Sequence, residues 1–147
     1  MKLSRKGEYA CLAILDLAEQ YGQGYIKTAE ICERKGIPKS YLEQILLALH
    51  RGRYVRSARG MEGGHQLAKA PAEISIADII RLIDGPLAPV ESVSTFFYGH
   101  TPIEKSAKIL HVFKEIRDYV SNKLESTTFA DLVELPDTVP VNDLTQE

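Results

Sequence analysis

Between positions 39 and 60 the chain gathers side chains whose hydrogen-bonding groups suit nucleic acid. Lys39, Ser40, Tyr41, Glu43 and Gln44 come first, then Arg51, Arg53, Arg56 and Arg59, with Gly60 beside the last arginine. A glutamine pairs with the edge of adenine, a carboxylate accepts from the cytosine amino group, and a serine hydroxyl bonds to a base or a phosphate. Guanidinium groups clamp phosphates, and an arginine at the tip of a flexible loop enters a narrow minor groove. The first five residues also fit a plain solvated helix face. Four arginines within the nine residues 51–59 favour a polyanion. No nucleophile–base pair, phosphate loop or metal motif accompanies them, so an enzyme is not expected.

These side chains need elements that hold them together. Pro38 is tolerated just before a helix, so a helix is predicted from Lys39 or Ser40 to about His50, with Tyr41, Leu42, Ile45, Leu46 and Leu49 on its apolar side. Before it, Thr28 is placed to cap a short helix, Ala29 to Lys35, and Gly36-Ile37-Pro38 breaks that helix, which makes a helix-turn-helix. Segments 54–57 and 65–68 alternate in polarity around a glycine-rich tip, the pattern of a hairpin wing.

An amphipathic helix capped by Ser4 is predicted over Arg5 to Tyr21, with a short strand at Tyr25-Ile26. Ser75 caps a further helix, Ile76 to Asp84, and the segment from Leu87 to Pro102 has no period and reads as a loop. Ile103 to Leu124 is the longest periodic stretch. Its stripe of Ile103, Ala107, Leu110, Phe113, Arg117 or Ile116, Val120 and Leu124 exceeds what a small chain covers, so a second copy is the expected cover. Thr127 or Thr128 then caps a short helix ending near Leu135. The expected fold is mainly α with a small β-wing: a winged helix-turn-helix head over 1–84, a linker over 85–102, dimerisation and C-terminal helices over 103–135, and an acidic tail over 136–147.

Composition supports a folded chain, with 44% apolar and 26% charged residues in 147. The net charge of -2 hides an uneven distribution. Residues 1–69 hold 12 basic and 7 acidic side chains (+5), whereas 70–147 hold 6 and 13 (-7). A basic half beside an acidic half suits a polyanion-binding head joined to another module. Two cysteines, Cys11 and Cys32, make no disulfide framework and read as small core residues. No apolar run is long enough to span a membrane, and the charged MKLSRKGEYA does not read as a signal peptide, so the cytoplasm is the expected location.

Four separated blocks, LSRKGEYA, KSYLEQILLALHRGRYVRSARGMEGGHQLAK, ISIADIIRLIDGP and STTFADL, resemble the Rrf-type winged-helix transcription regulators. The resemblance implies a homodimer with crossing long helices bound to palindromic double-stranded DNA, with Ser40, Glu43 and Arg59 at positions that touch bases or the minor groove. Members that bind an iron-sulfur cluster carry three cysteines in the loop matching about Ser92 to Ile103. This chain has none there and offers Ser92, Ser94, Thr95, Tyr98 and His100. Thiolates hold such clusters, so no cluster, other cofactor or metal is expected. Glu8 matches a position that supplies a carboxylate ligand in some relatives, and alone it reads as a solvated charge. His65, His100 and His111 lack metal-binding spacing. The GPLAPVE stretch and the missing cysteines look most like the CymR branch, which regulates sulfur and cysteine metabolism together with cysteine synthase. The expected function is a cluster-free repressor; the alternative is an interaction module that docks a metabolic enzyme such as cysteine synthase.

Overall fold

A computed structural model describes residues 1–137, so all of the tail except Pro136 and Asp137 lies outside the described residues. Helix α1 (Arg5–Glu19) starts where Ser4 Oγ accepts the Gly7 amide at 2.9 Å. It ends two residues before the predicted Tyr21, which is exposed; the Tyr21 amide bonds to Ala18 O at 3.2 Å, and Gly22, at φ +87°, turns the chain away. Helix α2 (Thr28–Lys35) also differs from expectation. Lys27 is its cap, and the Glu30 carboxylate accepts the Lys27 amide at 3.1 Å. Thr28 is therefore the first helical residue, and its hydroxyl turns elsewhere.

Gly36, left-handed at φ +63°, ends α2, and α3 (Lys39–Arg51) follows after Pro38. Leu42, Ile45, Leu46 and Leu49 are buried, as their spacing predicted. Strands β1 (Val55–Ala58) and β2 (Gly64–Leu67) pair antiparallel from Val55↔Leu67 to Ala58↔Gly64. The short strand expected at Tyr25-Ile26 is a single bridge, with Ile26 and His65 exchanging both backbone hydrogen bonds at 2.8 Å. Helix α4 (Ile76–Ile83) is capped by Ser75, whose hydroxyl accepts the Asp78 amide at 3.1 Å.

Two expectations for the C-terminal half are corrected. The long helix α5 spans Ala107–Ser126, and Ile103 lies before it in a 3-10 turn, because Ser106 caps the helix. The short helix α6 (Phe129–Glu134) belongs to the head, since Phe129 is fully buried in the main core among residues of α1, α3 and the wing. The 103–135 stretch is therefore not a separate unit.

The 85–102 segment is equally part of the body. Leu87, Ala88 and Val93 are buried, and Arg117 Nη1 on α5 donates to Val93 O at 2.9 Å. This packing half-buries Leu110, Phe113, Val120 and Leu124 on their own chain, Leu124 against the small core of Ala77, Ile80 and Leu87. Ala107 is exposed. The apolar ridge left open shares only Ile116 with that stripe: Ile109, Val112, Ile116 and Tyr119 are 49%, 51%, 43% and 75% exposed.

One buried charge fixes how α2 meets α1. Asp16, 1% exposed, accepts from Arg34 Nε at 2.8 Å and Nη2 at 3.0 Å. Such two-point charged pairs are stiff, and removing one partner strands the other charge. Arg34→Ala is expected to lower stability by about 2–3 kcal/mol in urea melts with an unchanged slope, somewhat less than for a fully buried pair because Arg34 is partly in water.

Candidate nucleic-acid interface

The outer face of α3 is the natural reading surface. Lys39, Ser40, Glu43 and Gln44 are exposed on its first turns, and a loose Lys39–Glu43 contact at 3.8 Å leaves both side chains available to exchange partners. No side chain caps α3, so its first amides and the positive end of its dipole are open to phosphate. Tyr41 is 38% exposed beside them, and its ring lies 5.1 Å from that of Tyr9, joining the start of α3 to α1. Leu47, 53% exposed, lies three and four residues beyond Gln44 and Glu43. Helical spacing puts it on the same face as those two residues, where an apolar side chain suits a thymine methyl.

Arg51, Arg53, Arg56 and Arg59 are all exposed and run from the end of α3 along the wing. Across the hairpin, Gln66 turns its amide oxygen to Arg56, accepting from Nε at 3.0 Å in the orientation that satisfies both groups. Arg53 is the conspicuous member: at φ +63° it is the one non-glycine residue with positive φ among those described. An L side chain there costs about 1–2 kcal/mol, a position glycine fills without strain.

The wing glycines divide by role. A Cβ on Gly64 would lie 2.4 Å from Ile26 O, so this glycine lets the wing seat on the α1–α2 connection. Gly60, at φ +99° with nothing within 4 Å of where a Cβ would stand, is the glycine free to approach a sugar–phosphate strand. Lys27 Nζ donates to Gly60 O at 3.1 Å, tying the tip to the start of α2. Sequence reading missed Lys27, because a contact across 33 positions leaves no local signal. Thr28 Oγ1 and His65 Nε2 are 3.2 Å apart, and the His65 ring meets that of His50 on α3 edge-on at 5.8 Å.

A basic, arginine-lined wing beside an uncapped, polar-faced third helix is the geometry of a winged-helix DNA reader. The family model described as "Iron-dependent Transcriptional regulator" (Rrf2) matches residues 3–135. The chain belongs to the Rrf2 family. A putative HTH-type transcriptional regulator of Mycobacterium tuberculosis is 40% identical over 133 residues, covering 90% of this chain and 81% of that protein. The HTH-type transcriptional regulator CymR of Bacillus subtilis is 35% identical over 137 residues, covering 93% of each. Among solved structures, that of CymR (YrzC), the global cysteine regulator of B. subtilis, superposes with a TM-score of 0.76 at 33% identity over 93% of this chain and 99% of that one. IscR of T. potens gives 0.72 at 30% identity over 91% and 87%. The Rrf2 chain is thus a DNA-binding transcription regulator, mainly helical with a small two-stranded wing, and its relatives are regulators rather than enzymes. Among the described residues no helix is long and apolar enough to cross a membrane.

The family description raises the question of iron, and the donors here do not fit a cluster. The 92–103 loop holds no thiol, and Cys11 and Cys32 are half-buried on α1 and α2. Burial, with Asp84 adding to it, pushes the Cys11 thiol up to about 11, away from the thiolate a cluster needs. Among the described residues no three His, Cys, Asp or Glu side chains converge as metal ligands. Glu8 pairs instead with Arg5 at 3.4 Å. In the loop, Tyr98 and His100 both bond to Glu104, the latter through Nδ1 at 3.0 Å, and these bonds hold the carboxyl below its ordinary range.

The Arg53 turn separates folding from binding. Arg53→Gly relieves the left-handed strain while loosening the unfolded chain, so stability should stay within about 1 kcal/mol of the parent. DNA affinity should fall and the salt slope (log K against log salt) should shrink by about one, as for a lost phosphate contact. Thermal melts and a salt titration check the two halves. An unchanged slope would remove Arg53 from the interface.

Proposed function

We propose that the chain is a homodimeric, cluster-free repressor that reads a palindromic operator, with genes of sulfur or cysteine metabolism as its targets. The observation that carries this is the exposed Ser40–Glu43–Gln44–Leu47 face of α3 flanked by exposed arginines from Arg51 to Arg59. In this reading Ser40, Glu43 and Gln44 meet base edges, Leu47 a thymine methyl, Lys39 and Arg51 to Arg56 the phosphates, and Arg59 with Gly60 the minor groove. The likeness to the cysteine regulator CymR supports the sulfur assignment. The open ridge of Ile109, Val112, Ile116 and Tyr119 supports dimerisation, because it repeats every three to four residues, as a helix-pairing seam does. Two copies joined there would present two α3 helices about one DNA turn apart, roughly 34 Å. A cytoplasmic location follows from this role.

Selection of bound fragments from sheared genomic DNA, followed by gel-shift titration, tests the reading. The expected result is a fragment preferred over bulk competitor at several salt concentrations. In that fragment Glu43→Ala should lose about tenfold of the preference at one base pair in each half-site. No preferred fragment would overturn the DNA reading and favour an enzyme-docking module. Sedimentation equilibrium tests the dimer separately. Ile116→Glu, at an exposed position that folding does not need, should convert dimers to monomers, and a persistent dimer would move the interface off the ridge.

A further inference from the structure

Where α2, α3 and the wing converge, one side chain belongs to all three. His65 on β2 exchanges both backbone hydrogen bonds with Ile26 at 2.8 Å, meets Thr28 Oγ1 through Nε2 at 3.2 Å, and stands edge-on to the His50 ring at 5.8 Å. Its Nδ1 is shut off from water and has no partner. An open cleft of about 260 Å³ runs beside it, lined by Thr28 from α2, by Glu43, Leu46, Leu47 and His50 from α3, and by Ser57 from β1.

This environment accepts one protonation state. A neutral imidazole donates Nε2–H to the Thr28 hydroxyl and leaves Nδ1 as a bare lone pair, the less costly way to bury that atom. A second proton would sit on Nδ1, buried without an acceptor and next to a second imidazole. Burial first, and His50 second, hold His65 below the ordinary imidazole range. Glu43 is the carboxylate lining the cleft, but it is exposed and directed to Lys39 at 3.8 Å. Thr28 and Ser57 carry no charge.

We propose that His65 is a positioning residue for DNA recognition, locking the wing to α2 and α3 only while neutral, so that acidification releases the wing tip with Arg59 and weakens operator binding. The proposal rests on the DNA reading above. Its sign follows from linkage: a histidine whose proton is disfavoured in the folded state contributes fully above its ordinary range, and the contribution is lost as pH falls through and below that range. One excluded proton limits the loss to tenfold per pH unit. Histidines that merely face phosphate behave oppositely, since the polyanion favours their charged form and acid strengthens binding.

The test is fluorescence anisotropy on a labelled duplex recovered in the genomic selection, at fixed salt, from pH 7.5 to 5.5. Wild type should lose a few-fold across this range, short of the tenfold open to an ordinary imidazole, because His65 is already held low in the free protein. His65→Gln, which keeps an amide donor for Thr28 but cannot titrate, should bind at pH 7.5 within a few-fold of wild type and show a flat profile. The His50→Gln variant should still lose affinity in acid. Equal pH slopes in wild type and His65→Gln, or affinity that rises on acidification, would overturn the proposal. If His65→Gln fails to fold, an NMR titration of the wild-type imidazoles decides: His65 should titrate below the other histidines and lower still with duplex bound, and titration at the ordinary value overturns the lock. Failure to recover any preferred duplex is a failure of the DNA reading, whereas the titration of His65 in the free protein is measured regardless.

Discussion

Asp16 sits on the inward face of α1 with almost no contact with water, and a carboxylate in that position is tolerated only if its charge is answered. Arg34 answers it with two parallel bonds, and those bonds admit few relative placements of α2 and α1. Apolar contacts between the helices supply attraction without direction; the ion pair supplies the register. A second pair, Lys35 with Glu19, lies one residue along and repeats the constraint nearer the surface. Once α2 is fixed, Gly36 and the buried Ile37 leave α3 one exit direction, so the orientation of the reading helix descends from a charge at the far side of α2.

The wing depends on the same frame by another route. Its two strands are short, and a hairpin of that size is marginal alone. It is held by the Ile26–His65 bridge, the Thr28 hydroxyl and the Lys27 ammonium, all from the first residues of α2 and the turn before it. Helix and wing therefore take their relative position from one anchor. On the proposed reading, an arginine at the tip and a glutamate on α3 address one stretch of DNA from positions that both refer to α2.

Much of this was legible in the sequence. Ser4, Ser75 and Thr128 mark helix starts where hydroxyl caps stand, and the three- and four-residue spacing of Leu42, Ile45, Leu46 and Leu49 gave the buried face of α3. What stayed hidden is what distance in sequence conceals. Asp16 with Arg34, Lys27 with Gly60 and Thr28 with His65 are separated by 18, 33 and 37 positions. The Lys27 cap escaped for a local reason: the hydroxyl of Thr28 suggested a cap, while the reach-back of Glu30 moved it one residue earlier.

The C-terminal half shows a different limit. Periodicity reports that α5 has apolar residues at helical spacing, but a helix with apolar residues on adjoining faces has two stripes, and only the surroundings decide which is covered. With 87–102 read as a loop or linker, nothing on the same chain is expected to cover Leu110, Phe113, Val120 and Leu124. In the fold that segment lies against α5 through Val93 and Arg117, and against α4 through Phe96, whose ring lies 4.9 Å from the Arg81 guanidinium. Arg81 in turn bonds to Glu125 at the end of α5. The segment is thus wedged between the head and the long helix, bonded to both. If two copies pair along α5 as proposed, a change in the segment's packing would alter how α5 stands against α4, and with it the spacing at which the copies present their α3 helices. Its Ser92, Ser94, Thr95, Tyr98 and His100 supply no thiolate, so this wedge does not hold an iron-sulfur cluster through its own side chains.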